Sequence, residues 1–351
     1  MPALTDYNIE SLKALFAEWG HKPSQAARLL KHFYDRHGQI RYDDLELGRA
    51  RLGGEIPLRQ SEVVDRHQSA DGTLKLLLGL QQGGTVETVL MPAHRPDRAA
   101  GCVSSQVGCA MGCDFCASTQ SGLVRNLEAG EIVEQFLHLR HEAHRRGRRL
   151  ATLVFMGIGE PMHNLPNVIE AIRRIARPGM GELGGRQITV STVGVVPGID
   201  ELAAADLNVH LALSLHAPDD ATRASLVPMT RRWGVAQIMD AARRFAATTG
   251  RIVTIEYCLL EGINDSDVQA HQLADLLGDF RAHVNLIPYN AIGPGRSGLE
   301  YRRPSPQRLE QFLAVLTERG VVAHFRRTRG DDIAAACGQL RQRAAILANR
   351  R

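Results

Sequence analysis

From residue 128 to residue 326 the sequence alternates helix-like and strand-like segments, and that regularity leaves few folds open. Apolar residues at helical spacing predict helices over 128–145, 166–176, 198–205, 235–248, 267–277 and 306–319. Short runs rich in Val, Ile and Leu predict strands over 152–156, 187–192, 209–215, 252–259, 284–288 and 322–326. Repeated β-then-α units imply parallel strands joined by right-handed crossovers. About six such units predict an α/β fold, a partial (β/α)6 barrel open at one side. The chain has no G-x-G-x-x-G and no Walker A loop, which disfavours dinucleotide and P-loop readings.

Upstream, residues 4–60 read as helical. Leu12, Leu15 and Phe16 form one apolar stripe and Ala26, Leu29, Leu30 and Phe33 another, with Ser24 placed as the N-cap of the second helix. Two strand-like runs, 74–80 and 85–91, flank Gln81-Gln-Gly-Gly84 and predict a β-hairpin. Glu87 is unexpected in the middle of the second run, whose two faces are both largely apolar. The expected organisation is a helical accessory domain over 1–70, a hairpin extension over 71–100 and a barrel core over 101–351.

Three of the six cysteines, Cys109, Cys113 and Cys116, fall in a C-x3-C-x2-C pattern with no histidine or fourth cysteine close behind. A structural zinc site takes four protein ligands, usually as two separated pairs, so a zinc knuckle here needs a distant fourth ligand. Three thiolates on one tight loop suit a [4Fe–4S] cluster with one iron left for a small molecule. Phe115, just before the last cysteine, is placed to shield it. The pattern resembles the signature of the radical S-adenosylmethionine (SAM) superfamily. There the free iron holds the amino and carboxylate groups of SAM, and an electron from the cluster splits SAM into methionine and a 5′-deoxyadenosyl radical.

In α/β barrels the catalytic groups project from the C-terminal ends of the strands. Here those ends read Gly157-Ile-Gly-Glu-Pro161, Ser191-Thr192, Ser214-Leu-His216 and Ile287-Pro-Tyr-Asn290. Each alone passes for a loop cap, but four on one rim point to a site. The superfamily resemblance implies that Glu160 accepts the amino group of SAM beside the Gly159 backbone. By the same likeness Ser191, Ser214, Leu215, His216 and Asn290 hold its ribose, adenine and carboxylate.

Of the remaining cysteines, Cys258 reads as a core residue of an apolar strand, and Cys102 and Cys337 each pass for a buried thiol. Taken together, though, several segments closely resemble the RlmN/Cfr family of RNA adenosine methyltransferases. They are Cys102-Val-Ser-Ser-Gln-Val-Gly-Cys109, Arg125-Asn-Leu-Glu-Ala-Gly-Glu-Ile132, Gly-Ile-Gly-Glu-Pro-Met, Ser-Leu-His-Ala, Ile-Pro-Tyr-Asn and Ala-Ala-Cys-Gly-Gln-Leu340. The chain departs from that pattern after Cys116, in Ala-Ser-Thr-Gln-Ser-Gly, and in its N-terminal helical region.

The resemblance implies a chemistry suited to the electrophilic carbons 2 and 8 of adenine. One SAM methylates Cys337, and a radical from a second SAM takes hydrogen from that methyl group. The resulting carbon radical joins the adenine, Glu87 accepts the ring proton, and Cys102 frees the product as a transient disulfide with Cys337. A carboxylate in an apolar strand is expected to have a raised pKa, which suits a base. Carbon 2 in 23S rRNA, and possibly tRNA, is the preferred target. Carbon 8 and a glycyl-radical activating enzyme are the alternatives, the latter leaving the Cys102–Cys337 pair without a role. A non-enzymatic alternative, a metal-stabilised RNA-binding module, leaves the strand-end rim unexplained.

The net charge is +4 and the only lysines are Lys13, Lys22, Lys31 and Lys75. An arginine-dominated surface suits phosphate, so it fits an RNA partner, although a GC-rich genome gives the same bias. No signal peptide or membrane-length apolar run is evident, and few cysteines are available for a disulfide scaffold. A cytoplasmic enzyme is therefore expected, and the resemblance implies a monomer served by a low-potential electron donor such as flavodoxin or ferredoxin.

Overall fold

The structure, a computed structural model, describes residues 2–40, 56–228 and 232–341. The N-terminal stripes fold as helices α1 (Ile9–Glu18) and α2 (Pro23–Asp35). Leu12, Phe16, Ala26, Leu29, Leu30 and Phe33 are all buried, the leucines and phenylalanines each contributing about 1.5–3 kcal/mol of apolar transfer. The cap differs from expectation. Lys22, not Ser24, is the N-cap of α2, because Pro23 at the first helical position brings a preset φ and no orphan N–H. Residues 41–55 of the expected helical stretch lie outside the described residues.

A second departure follows. Within the stretch to residue 70 expected to be helical, β1 (Ser61–Gln68) forms a strand against β2 (Leu74–Leu80). Its sequence, Ser-Glu-Val-Val-Asp-Arg-His-Gln, shows no apolar alternation because it is an edge strand held by its ladder to β2. The expected hairpin is present: β2 pairs antiparallel with β3 (Thr85–Pro92), which pairs antiparallel with β4 (Arg98–Cys102). The extension therefore runs without a break into the barrel sheet.

β4 is the first parallel strand. Arg-Ala-Ala-Gly-Cys carries little β propensity, so the sequence hides it. After it comes a small two-stranded sheet, β5 (Gln106–Gly108) with β6 (Leu123–Asn126), and then helix α3 (Ala129–Arg145). The remaining elements alternate as predicted: β7 (Arg149–Phe155), α4 (Leu165–Ala176), β8 (Ile188–Thr192), α5 (Val196–Ala204) and β9 (His210–Ser214). Then come α6 (Asp220–Leu226), which the sequence reading lacks, α7 (Val235–Thr249), β10 (Val253–Leu259) and α8 (Asp267–Leu277). β11 (Ala282–Pro288), α9 (Pro306–Glu318) and β12 (Val322–Phe325) complete the series.

The ten strands of the main sheet run in the order β1-β2-β3-β4-β7-β8-β9-β10-β11-β12, and every neighbouring pair from β4 onward is parallel. β1 and β12 are the two ends of that order, so the sheet is a partial barrel and not a closed one. The C-terminal ends of the parallel strands, from β4 through β7 to β12, open on one rim, which is where such a fold places its ligands. No helix among the described residues is long and apolar enough to cross a membrane.

Candidate active site

The cysteine loop is built between β5 and β6. Its neck closes where Cys109 N donates to Gly122 O at 3.0 Å. Gly108 stands there at φ +76°, and any Cβ on it would lie 1.9 Å from that same carbonyl oxygen. Cys109, Cys113, Cys116 and the rim residues Gly159, Glu160, Ser191, Ser214 and His216 line one cavity, together with Cys337. The structure thus gathers most of the predicted site on the expected rim.

Burial pushes the Cys109 thiol up to about 12, and Cys113 well above the ordinary thiol range with its two neighbouring cysteines adding to the effect. Burial also raises Cys116. Three close, desolvated thiols resist ionisation unless a cation compensates, which iron would do. Among the described residues no set of three His, Cys, Asp or Glu side chains converges on a point suited to a single ion. A cube takes each thiolate at a different iron, so this donor set fits a [4Fe–4S] cluster. Phe115 meets the His216 ring edge-on at 4.9 Å between centroids, so it walls the cavity beside the three sulfurs.

The SAM-side residues are tightly held. Gly159, at φ +110°, lies against Gln106, whose Oε1 accepts from Glu160 N at 2.8 Å. A Cβ at Gly159 would meet Gln106 Cβ at 2.6 Å, so glycine is needed for this close approach. The Glu160 carboxyl accepts from Met162 N at 3.1 Å and Val193 N at 2.9 Å, and burial pushes its pKa up to about 7. His216 Nδ1 accepts from Cys258 N at 3.0 Å, so the neutral ring carries its proton on Nε2. Burial holds this histidine down near 3.

Two of the residues predicted to hold SAM sit apart from that cavity wall. Leu215 is fully buried, and only its backbone takes part, donating to Glu256 O and accepting from Arg223 Nε at 2.9 Å. Asn290 turns its amide to the Cys337 carbonyl at 3.2 Å and takes Arg303 Nη2 at 2.8 Å. Its side chain anchors the C-terminal segment.

That segment lies across the barrel mouth. Ala117 N donates to Gly338 O at 2.7 Å and Ser118 Oγ to Leu340 O at 2.8 Å, tying it to the cysteine loop. Lys75, Val89 and Cys102 form one row across β2, β3 and β4, and Val89 and Cys102 pack with Ala335 and Leu340. Cys337 is exposed, whereas Cys102 is buried. Burial first, and the nearby Cys337 second, push the Cys102 thiol up to about 12. Cys337 is thus close enough to influence the Cys102 thiol.

Glu87 is buried, but not alone. Lys75 Nζ stands 3.1 Å from Glu87 Oε1, and Arg341 N donates to Oε2 at 2.9 Å. The expectation of an isolated carboxylate in an apolar strand is therefore corrected: a cation from the neighbouring strand faces it. Lys75 and Arg326 escaped sequence reasoning. Arg326 lines the cavity just past β12, and the negative charge that Cys337 can carry is the largest influence raising its pKa. A lone lysine in a leucine run was the available signal for Lys75. The end of the last strand was the signal for Arg326.

The fold and cavity define a class, and residues 103–274 match the radical SAM superfamily. A crystal structure of a radical SAM methyltransferase from Sphaerobacter thermophilus is similar at 42% identity and a TM-score of 0.91, covering 97% of this chain and 99% of that one. The probable dual-specificity RNA methyltransferase RlmN 1 of Opitutus terrae is 54% identical over 99% of this chain and 98% of its own. The corresponding protein of Symbiobacterium thermophilum is 43% identical over 97% of this chain and 91% of its own. The chain belongs to the RlmN/Cfr family and is a radical SAM RNA methyltransferase.

Proposed function

We propose that this enzyme methylates an amidine carbon of adenosine, carbon 2 in preference to carbon 8, in 23S rRNA and in tRNA. The observation that carries the reading is that Cys337 and the three-cysteine loop line one cavity, with Cys102 packed against the segment that carries Cys337. When bound, a cluster held by Cys109, Cys113 and Cys116 supplies the electron that splits SAM. Glu160 and the Gly159 backbone receive the amino group of SAM, and Ser191, Ser214, Leu215, His216 and Asn290 hold the rest.

Cys337 takes a methyl group by displacement, then loses one hydrogen atom from that methyl carbon. The carbon joined to Cys337 bonds to the adenine carbon, and the aromatic ring is restored by loss of the ring proton to Glu87 and of one electron, which the cluster that Cys109, Cys113 and Cys116 would hold could take back. Cys102, as thiolate, attacks the Cys337 sulfur. The S–C bond breaks, its electron pair takes a proton at the methyl carbon, and a Cys102–Cys337 disulfide remains to be reduced. The name of the curated relatives, dual-specificity RNA methyltransferase, supports more than one RNA target. A monomer in the cytoplasm, reduced by flavodoxin or ferredoxin, completes the reading.

Anaerobic enzyme incubated with SAM, reductant and unmodified RNA, followed by mass spectrometry of the digested nucleosides, tests it. 2-Methyladenosine from both rRNA and tRNA substrates is expected. 8-Methyladenosine would move the target carbon, and unmodified adenosine would overturn the reading.

A further inference from the structure

Lys75 is the one buried lysine among those described, in a chain whose other cations are nearly all arginine. It stands 1% exposed within the leucine run of β2. Glu87 pairs in register with Leu77, so Lys75 and Glu87 are diagonal neighbours on one face of the hairpin. The ammonium lies 3.1 Å from Glu87 Oε1 and donates to Ala334 O at 2.9 Å. Ala334 is a non-glycine residue at φ +50°, a strained conformation that persists only where its surroundings enforce it. The other Glu87 oxygen takes Arg341 N at 2.9 Å. One ion pair therefore grips the segment carrying Cys337 on both sides, at residues 334 and 341. An ammonium suits this place, because it is a compact charge with three donors.

We propose that Lys75 is a positioning residue for the methyl transfer, holding the Glu87 carboxylate aimed at the substrate. The assignment rests on the reading of Glu87 as proton acceptor and Cys337 as methyl carrier. It has a consequence a purely structural role lacks. Steps that precede RNA attack, methylation of Cys337 and cleavage of SAM, need neither Glu87 nor its aim. The proton-removal step needs both.

The experiment compares Lys75→Met, Lys75→Gln, Glu87→Gln and the double variant Lys75→Met/Glu87→Gln as anaerobically purified holoenzymes. Measured are cluster absorbance, the mass of S-methylated Cys337, 5′-deoxyadenosine formed and methylated RNA. Each Lys75 variant is expected to keep the first three and to lose RNA methylation by about 100-fold, the scale of a misplaced general base. The double variant should be no worse than Glu87→Gln, because Lys75 acts through that carboxylate. Lys75→Gln decides the matter should the methionine variant fail to fold, since it keeps a donor for Ala334 O and lacks the charge.

Wild-type RNA methylation in a folded Lys75 variant overturns the proposal. So does parallel loss of Cys337 methylation and RNA methylation, or failure of both Lys75 variants to hold a cluster, since either makes Lys75 a residue of the fold alone. If Glu87→Gln itself methylates RNA normally, the acceptor role of Glu87 fails, and the Lys75 assignment with it. Product appearing in neither the variants nor the wild type would instead condemn the proposed reaction.

Discussion

Glu160 holds its carboxyl inside the protein with two backbone N–H donors, and burial still raises its pKa to about 7. A protonated carboxyl cannot pair with an ammonium, so SAM must bind the ionised form. As the pH falls below about 7, Glu160 takes up a proton and SAM affinity should weaken by up to about tenfold per unit. Titration calorimetry in buffers of different ionisation enthalpy checks this, since SAM binding near pH 6 should release a proton. Glu160→Ala should weaken SAM binding and abolish that pH dependence while the cluster still forms. Unchanged affinity in a folded variant moves the SAM site elsewhere. The three cysteines make a separate prediction. Cys113→Ala should lose the brown iron–sulfur absorbance and all SAM cleavage, and a full cluster in that variant would contradict the ligand assignment.

At the scale of elements, α3 ties the N-terminal helices and β1 to the barrel through one buried carboxyl. Glu134 Oε1 accepts from Thr5 Oγ at 2.8 Å and Gln60 N at 2.7 Å, and its other oxygen takes the Ser61 hydroxyl, which also meets His138 Nε2 at 3.1 Å. Burial raises Glu134 to about 7, above its ordinary 4.5. The unfolded chain therefore ionises first, so the favourable contribution is complete below about 4.5 and is lost as the pH rises through 7, by about 3 kcal/mol. Burial lowers His138 to about 4, so its contribution is present above about 6.5 and is lost as the pH falls through 4. Glu134→Gln keeps the carbonyl acceptor and should leave stability near pH 4 little changed while raising it at pH 8.5. Chemical denaturation at the two pH values measures this, and a variant that loses equal stability at both would contradict it. The elements themselves differ in how legible they were. Those with an apolar period, such as Asp267–Leu277 and Leu74–Leu80, stood out because burial dictates the pattern. β1 and β4 did not, because one is a polar edge and the other is made of alanine and glycine.

At the scale of the molecule, the gathering of the three-cysteine loop with Gly159, Glu160, Ser191, Ser214 and His216 was readable because local spacing and strand ends determine it. The C-terminal segment was not. Nothing in the sequence near Cys337 says that Lys75, Glu87 and Asn290 fasten it, because those contacts span tens to hundreds of residues and depend on the closing of the sheet. In the proposed reaction the two thiols have different work. Cys337 is exposed at the mouth, where it can carry a methyl group, and Cys102 waits beneath it as a buried thiol. Cys102→Ala should therefore reach the carbon–carbon bond and stop there, and the protein purified with its cellular RNA should run as a slow band that nuclease removes. The variant lacking both Cys102 and Cys337 should show no such band. Normal turnover by Cys102→Ala, with no nuclease-sensitive band, would contradict the account.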